Sequence, residues 1–118
     1  MNNEDRARAF SGHRFEDTVD ALAADVVWNL VGAARLEGKA AVVDACRGTA
    51  AGLEGATTTW LRFVSTGDGD IVAVDAIGRY EDSDGVTEVS SCDIYEFADG
   101  RISAITSYTV DVDPGAPW

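Results

Sequence analysis

The chain has 118 residues, with 21 acidic against nine basic residues and a net charge of -12. This length fits one domain with its own core, and the negative charge argues against nucleic acid or an anionic membrane as partner, because both require a basic surface. One histidine, two cysteines without metal-ligand spacing and no apolar run long enough to cross a bilayer predict a site without metal or cofactor and a protein without a membrane span.

Helical patterns and one strand are predicted in the first half of the chain. Residues 1–10 allow two helical turns at most, and because their polar, acidic start does not resemble a leader, we expect a cytoplasmic protein. Apolar residues recur every three or four positions in 14–24, which predicts a helix. The β-branched and aromatic stretch 25–30 predicts a short strand, 35–38 a connector, and 39–53 a further helix.

The second half has the pattern of β-strands throughout. Four strands are predicted, at Thr57–Thr66, Ile71–Glu81, Val86–Phe97 and Arg101–Val112. Their short Gly- and Asp-rich linkers predict an antiparallel meander. Helices followed by a meander indicate the α+β class: a cone-shaped, curved antiparallel sheet of four or five strands wrapped around two to three N-terminal helices, with a pocket at its open end. We expect one domain over 1–113 and a C-terminal tail over 114–118.

A carboxylate interrupts the apolar face of the last predicted hairpin. Alternation places Asp93 on the same face as Tyr95 and Phe97, in the strand before the Asp99–Gly100 turn. Such a group must be paired, protonated or used, because burying an isolated charge is costly.

Four short motifs carry a family resemblance. They are Ala24–Trp28, Leu36–Val42, Asp93–Phe97 and Asp99–Ile102. Their order and spacing resemble the nuclear transport factor 2-like superfamily, and within it SnoaL-like proteins, ketosteroid isomerases and limonene epoxide hydrolases. The resemblance covers residues 14–112 and implies a cone with a pocket. It implies the fold more directly than the reaction, because this superfamily includes enzymes, binding modules and subunits without chemistry.

Comparison with ketosteroid isomerases concerns Asp93 first. In that family a protonated Asp in the strand before the Asp-Gly-type turn donates to the substrate oxyanion, and Asp93 matches its place. The general base of the family lies at the end of the first strand, where this chain has Asn29, which cannot abstract a proton. Residues 1–10 contain no counterpart of the helix-one Tyr. The unmodified isomerase mechanism is therefore not expected.

Comparison with limonene epoxide hydrolases implicates a second carboxylate. Those enzymes use two Asp and an Arg to activate water, with a Tyr and an Asn to hold it. Asp75 matches one Asp and Asn29 approximates the Asn, whereas Ala73 stands at the Arg position and Ser107 at that of the second Asp. Both comparisons predict that Asn29, Asp75, Asp93 and Ser107 face one cavity.

We predict a site built around the two carboxylates. The predicted catalytic residues are Asp93 and Asp75, and the predicted ligand-binding residues are Asn29, Arg79, Tyr95, Ser107, Ile105 and Ile77. Each has a structural alternative. Asp93 would bond only to backbone or a hydroxyl, Asp75 would pair with Arg79, Asn29 would end its strand, and Ser107 would be a passive wall. His13 is expected to be an exposed or capping residue.

The resemblance implies proton-transfer chemistry on a small, largely apolar, oxygenated molecule. A buried carboxyl with a raised pKa can act near neutrality without a metal. Isomerase, cyclase or hydrolase activity is therefore the leading hypothesis, and a non-catalytic binding or dimerisation module is the alternative. A homodimer through the outer sheet face, with Tyr108 and Thr106, is also expected from the resemblance.

Overall fold

Two α-helices cover one face of a curved, unclosed six-stranded sheet in the computed structural model, which describes residues 1–67 and 69–117. The helices are α1 (Asn3–Ser11) and α2 (Lys39–Gly52). The strands are β1 (Leu22–Leu30), β2 (Ala34–Glu37), β3 (Thr57–Thr66), β4 (Ile71–Asp82), β5 (Gly85–Ala98) and β6 (Arg101–Val112). Their order in the sheet is β2-β1-β6-β5-β4-β3.

The predicted meander is confirmed. Strands β3 to β6 pair successively as antiparallel neighbours. The tight turn between β5 and β6 has positive φ at both Asp99 and Gly100, 53° and 75°, as a two-residue type I′ hairpin requires. Strand β1 then adds to β6 in parallel, so the sheet is not wholly antiparallel as predicted.

Two predicted segments differ from the structure. Residues 35–38 were expected to be a connector, but Ala34–Glu37 forms β2, which pairs with β1. The helix predicted over 14–24 is wrong: Phe15–Asp17 and Val19–Ala21 are single 3₁₀ turns, and β1 begins at Leu22. The four-residue spacing of Leu22 and Val26 fits a strand as well as a helix, because four is a multiple of two.

The core lies between the helices and the inner face of the sheet. Helix α1 begins with a capping box between Asn2 and Asp5, which satisfies backbone donors at its first turn. Its buried Ala7 and Phe10 pack into a cluster that spans the sheet. Cys46 of α2 is buried in the same cluster, whereas Cys92 of β5 is only partly buried. Among the described residues, no helix is long and apolar enough to span a membrane.

The outer face carries a buried ion pair beside the tail. The Glu88 side chain is only 2% exposed, and its carboxylate accepts a hydrogen bond from Arg79 at 2.9 Å. The backbone N–H of Gly115 lies 3.3 Å from both oxygens of the same carboxylate. The beginning of the tail therefore contacts β5, while the division of the chain at residue 113 stays a prediction.

Candidate functional site

An aromatic cavity of about 270 Å³ lies between the end of α1 and the inner face of the sheet. Its lining residues are Phe10, Ser11, His13, Phe15, Trp28, Leu30, Thr49, Trp60, Tyr80, Val89, Ser91, Asp93, Ser107 and Thr109. Apolar walls with a few convergent polar groups are typical of small-molecule sites. Asp93 is the single carboxylate among these lining residues.

Both carboxylate oxygens of Asp93 accept hydrogen bonds from serines. Ser107 lies directly opposite Asp93 in the β5–β6 register, so its hydroxyl reaches Oδ1 at 2.6 Å. Ser11, the last residue of α1, donates to Oδ2 at 2.7 Å. Asp93 is thus held by one neighbour from the sheet and one from the helix above it.

Each serine also contacts an aromatic side chain that is a hydrogen-bond donor. The indole N–H of Trp28 donates to the Ser107 hydroxyl oxygen at 2.9 Å. Because an indole can only donate, the Ser107 hydrogen is directed to Asp93. The Tyr95 hydroxyl lies 2.6 Å from that of Ser11, and when Ser11 donates to the ionised Asp93, Tyr95 donates to Ser11.

These bonds oppose the effect of burial on Asp93. Burial raises the pKa of the Asp93 carboxyl above its ordinary value, whereas the hydrogen bonds from Ser107 and Ser11 and the charge of His13 lower it. Two hydroxyl donors therefore hold the ionised form of Asp93, while burial favours its neutral form.

His13 and Tyr80 form a second polar pair on the cavity wall, which the sequence analysis missed. The His13 Nε2 atom lies 2.8 Å from the Tyr80 hydroxyl, while its Nδ1 is buried without a hydrogen-bond partner among the described residues. Burial lowers the pKa of the imidazole below its ordinary value, and the charge of Asp93 opposes this shift. The prediction of an exposed His13 is wrong, because its ring lines the cavity, whereas its backbone does take part in the end of α1.

The end of α1 explains how His13 reaches the cavity. Gly12 caps the helix, the His13 N–H bonds to the Phe10 carbonyl at 3.1 Å, and the Arg14 N–H bonds to the Ala9 carbonyl at 2.9 Å. This is the Schellman pattern, in which glycine usually occupies the left-handed position. Here His13 occupies that position, with φ of 66°. The sequence signal that could have identified His13 is its position directly after the helix end at Ser11-Gly12.

Several predicted site residues face away from this cavity. Asn29 alternates with Trp28 and Leu30, which line it, so Asn29 lies on the opposite face of β1. Asp75 is half exposed and paired with Arg62 at 2.9 Å. The shared cavity predicted for Asn29, Asp75, Asp93 and Ser107 is therefore wrong for the first two.

The other two residues of β4 that were predicted to line the cavity also face away from it. Ile77 and Arg79 alternate with the core residues Val72 and Val74, which places them with Asp75 on the outer face. The alternative of an Asp75–Arg79 pair is also wrong, because Arg79 bonds to Glu88 and Asp75 to Arg62.

Tyr95, Ser107 and Ile105 do lie on the inner face. Ser107 lines the cavity, whereas Tyr95 and Ile105 are cross-strand neighbours in the core beneath it. Tyr95 thus acts on the site through Ser11. A second cavity of about 270 Å³ adjoins the first and shares His13 and Phe15 with it. No cluster of three or more His, Cys, Asp or Glu side chains suited to a metal occurs in the described part of the chain.

Comparisons with known proteins agree with this architecture. The family model described as "SnoaL-like domain" matches residues 4–105. An NTF2-like protein of unknown function from Cytophaga hutchinsonii is 30% identical, with a TM-score of 0.77 and coverage of 90% of this chain and 94% of that one. No curated protein matches the chain by sequence.

Two further solved structures show the same fold at lower identity. A candidate polyketide cyclase from Xanthomonas campestris pv. campestris is 20% identical, with a TM-score of 0.69 and coverage of 91% of this chain and 92% of that one. An LEH-like epoxide hydrolase from M. tuberculosis is 22% identical, with a TM-score of 0.62 and coverage of 86% and 74%. At these identities the similarity concerns the fold.

Proposed function

Because the chain belongs to the family of SnoaL-like domains and has the NTF2-like fold, we propose that it is a cofactor-independent enzyme of the isomerase, cyclase or hydrolase type. Its substrate is a small, largely apolar, oxygenated molecule that enters the aromatic cavity. The structures of a candidate polyketide cyclase and an epoxide hydrolase on the same fold support this proposal.

The observation that carries the proposal is the position of Asp93. Its carboxyl lies in an apolar cavity, both of its oxygens are held by hydroxyls, and burial raises its pKa. A carboxyl with a raised pKa is a stronger base than an exposed one and is still protonated in part closer to neutrality. Asp93 is therefore the acid/base group, and Ser11 and Ser107 orient it.

Two probe reactions test this function. In D₂O, exchange of the hydrogens next to the carbonyl of 2-tetralone, followed by NMR, reports proton abstraction, and hydrolysis of styrene oxide reports activation of water. For whichever of the two reactions the wild type catalyses, we expect Asp93→Asn to lower the rate by about 100-fold or more, the size of a general acid/base contribution. Asp75→Asn is the matched control, because Asp75 is paired with Arg62 outside the cavity.

The proposal fails if wild-type protein catalyses neither reaction, or if Asp93→Asn and Asp75→Asn have equal effects. A second candidate function then applies: a non-catalytic module that binds a small molecule. The presence of a single carboxylate among the cavity-lining residues favours this alternative. Ligand binding with equal affinity by wild type and Asp93→Asn, without turnover, would establish it.

We also propose a homodimer through the outer face of the sheet. Exposed apolar side chains there include Val64, Tyr108 and Val110, and contiguous apolar patches are typical of interaction surfaces. Sedimentation at micromolar concentration tests this state, and a monomer would contradict it. A cytoplasmic location is proposed as well, supported by two cysteines that are both free.

A further inference from the structure

The two halves of α2 differ in how they pack. The first half carries the two buried residues of the helix, Val42 and Cys46, which belong to the core cluster. The second half, residues 47–52, is exposed at every position, and we call it the distal half of α2. A helix in a globular protein is stabilised mostly by the packing of its apolar face. The distal half therefore has little packing to hold it in place.

The residues of the distal half also weaken it as a helix. Gly48 and Gly52 lie within it, and glycine is a poor helix former because it loses the most backbone freedom. A Cβ at either position would meet open space, so neither glycine is needed for a close approach of another group. The Thr49 hydroxyl donates to the Ala45 carbonyl at 3.2 Å, a contact that often bends helices. The distal half therefore has low intrinsic stability.

Cavities rather than core side chains lie beneath the distal half. Thr49 lines the aromatic cavity. Arg47 and Ala50 line the second cavity, which Cys46 also lines. Gly52 lines a third cavity of about 270 Å³, beside the turn between β4 and β5. The distal half thus covers the aromatic cavity and the space around it without filling either.

One exposed ion pair joins the distal half to another part of the protein. Arg47 lies 3.3 Å from Glu16 in the 3₁₀ turn Phe15–Asp17, and the two side chains are 65% and 71% exposed. Among the described residues, this is the only side-chain hydrogen bond between the distal half and another element. Exposed ion pairs contribute little to stability, so displacement of the distal half loses little.

From this arrangement we propose that the distal half of α2 is a lid, which opens by local unfolding and admits the ligand to the aromatic cavity. Segments with few buried contacts and exposed backbone hydrogen bonds open locally while the core stays folded. Closure of such a segment separates a bound ligand from water, and its opening releases the product. A lid serves a catalytic cavity and a binding cavity alike, so this inference does not depend on the acid/base role of Asp93.

Labelling of Cys46 by dithiodipyridine, an aromatic thiol reagent, measures the opening of the lid. Cys46 is only 2% exposed, so the reagent reaches it in the open state and the rate reports the open fraction. Gly48→Ala should lower this rate about fivefold and Ala51→Gly should raise it about fivefold, because glycine and alanine differ by that factor in helix propensity. Ala40→Gly is the matched control: it makes the same change at an exposed position of the packed half and should leave the rate unchanged.

A second thiol tests entry into the aromatic cavity itself. Ser91→Cys puts a thiol on the wall of this cavity, and Cys92→Ala in the same chain removes the neighbouring thiol. Peptide mass spectrometry locates the label. Labelling at this position should change by the same factors as that of Cys46 when Gly48→Ala or Ala51→Gly is added. Labelling that ignores both substitutions would overturn the inference, because ligands would then enter by another route.

Two further outcomes would overturn the inference. Ala51→Gly and Ala40→Gly could raise the labelling of Cys46 equally, or the labelling rate could follow global stability as urea is added. In either case the thiol is reached through global unfolding and the distal half is no lid. The proposed function has its own readout, the two probe reactions. If neither reaction is catalysed but labelling responds to the lid substitutions, the proposed function fails and the lid stands.

Discussion

Replacing Ser107 by alanine tests the network that holds Asp93. The Ser107 hydroxyl accepts from the Trp28 indole at 2.9 Å and donates to Asp93 at 2.6 Å, and the residue is only 4% exposed. The substitution removes one oxygen and takes a hydrogen-bond partner from the Trp28 N–H and from the Asp93 carboxylate, both in part-buried positions. It preserves the strand, because alanine adopts the same backbone conformation.

The expected loss of stability follows from those two bonds. A hydrogen bond to a charged group contributes about 1.5–3 kcal/mol, and a buried donor left unpaired costs about 1–3 kcal/mol. Water in the cavity can replace part of this loss at the Trp28 N–H, so we expect about 2–4 kcal/mol in total. For a chain of this size the melting temperature should fall by about 4 °C per kcal/mol.

Urea denaturation monitored by circular dichroism measures this loss, with Ser103→Ala as the matched control. Ser103 is on the same strand, and its hydroxyl donates to the Glu96 carbonyl at 3.0 Å in an exposed position, so its replacement should cost less than about 0.5 kcal/mol. The indole fluorescence of Trp28 should also change in Ser107→Ala alone. Equal destabilisation by the two variants would refute the reasoning, because it would mean that the network contributes no more than an exposed serine.

Other predictions concern ionisation, packing and reactivity. Because burial raises the folded-state pKa of Asp93 above its unfolded value of about 3.9, wild type loses stability as pH rises through the raised pKa. Asp93→Asn should therefore gain stability relative to wild type from about pH 4 towards neutrality, measured by thermal melts at several pH values, and a constant difference would contradict this. Arg79→Met leaves the carboxylate of Glu88, 2% exposed, without its cation and should cost about 3 kcal/mol, and Glu88→Gln in the same chain should recover much of this loss in urea denaturation. Gly78→Ala should lower the free energy of unfolding by about 1–3 kcal/mol, because the added methyl group displaces Tyr80 and Trp60. The same substitution should shift the NMR resonances of His13, which contacts both rings. Gly48→Ala is the control: its Cβ would meet open space, so it should cause no loss of stability and no shift. Burial raises the pKa of the Cys46 thiol to about 12 and also raises that of Cys92, but only Cys46 is fully buried, so a thiol reagent at pH 8 should modify Cys92 faster than Cys46 in the native protein.

The sequence alone determined the fold class and most of the sheet. Gly- and Asp-rich linkers between long β-branched stretches predict the strands and their antiparallel pairing, because such linkers permit only tight turns. The bounds predicted for β3 and β6 agree with the structure. Residues 14–24 were predicted wrongly, because a spacing of four residues fits both a strand and a helix, and burial against the sheet decided between them.

Asp93 was accessible to sequence reasoning because alternation in β5 is clear. Asp93, Tyr95 and Phe97 lie on the inner face, with Glu96 exposed opposite. In β4 and β1, by contrast, apolar residues occupy both faces around Asp75 and Asn29. Alternation identifies the residues that share a face, but the helices that cover one side of the sheet determine which face is inward. The sequence therefore could not decide where Asp75 and Asn29 point.

Only the tertiary structure assembled the rest of the site. Ser11 and His13 come from the end of α1, Tyr80 from β4 and Ser107 from β6, so no local pattern connects them to Asp93. The left-handed turn at His13 and the missing side chain at Gly78 leave room for the rings of His13 and Tyr80 at the same cavity. The sequence thus identified a carboxylate on a buried face, and the packing of α1 against the sheet brought Ser11 and His13 to the cavity that this carboxylate lines.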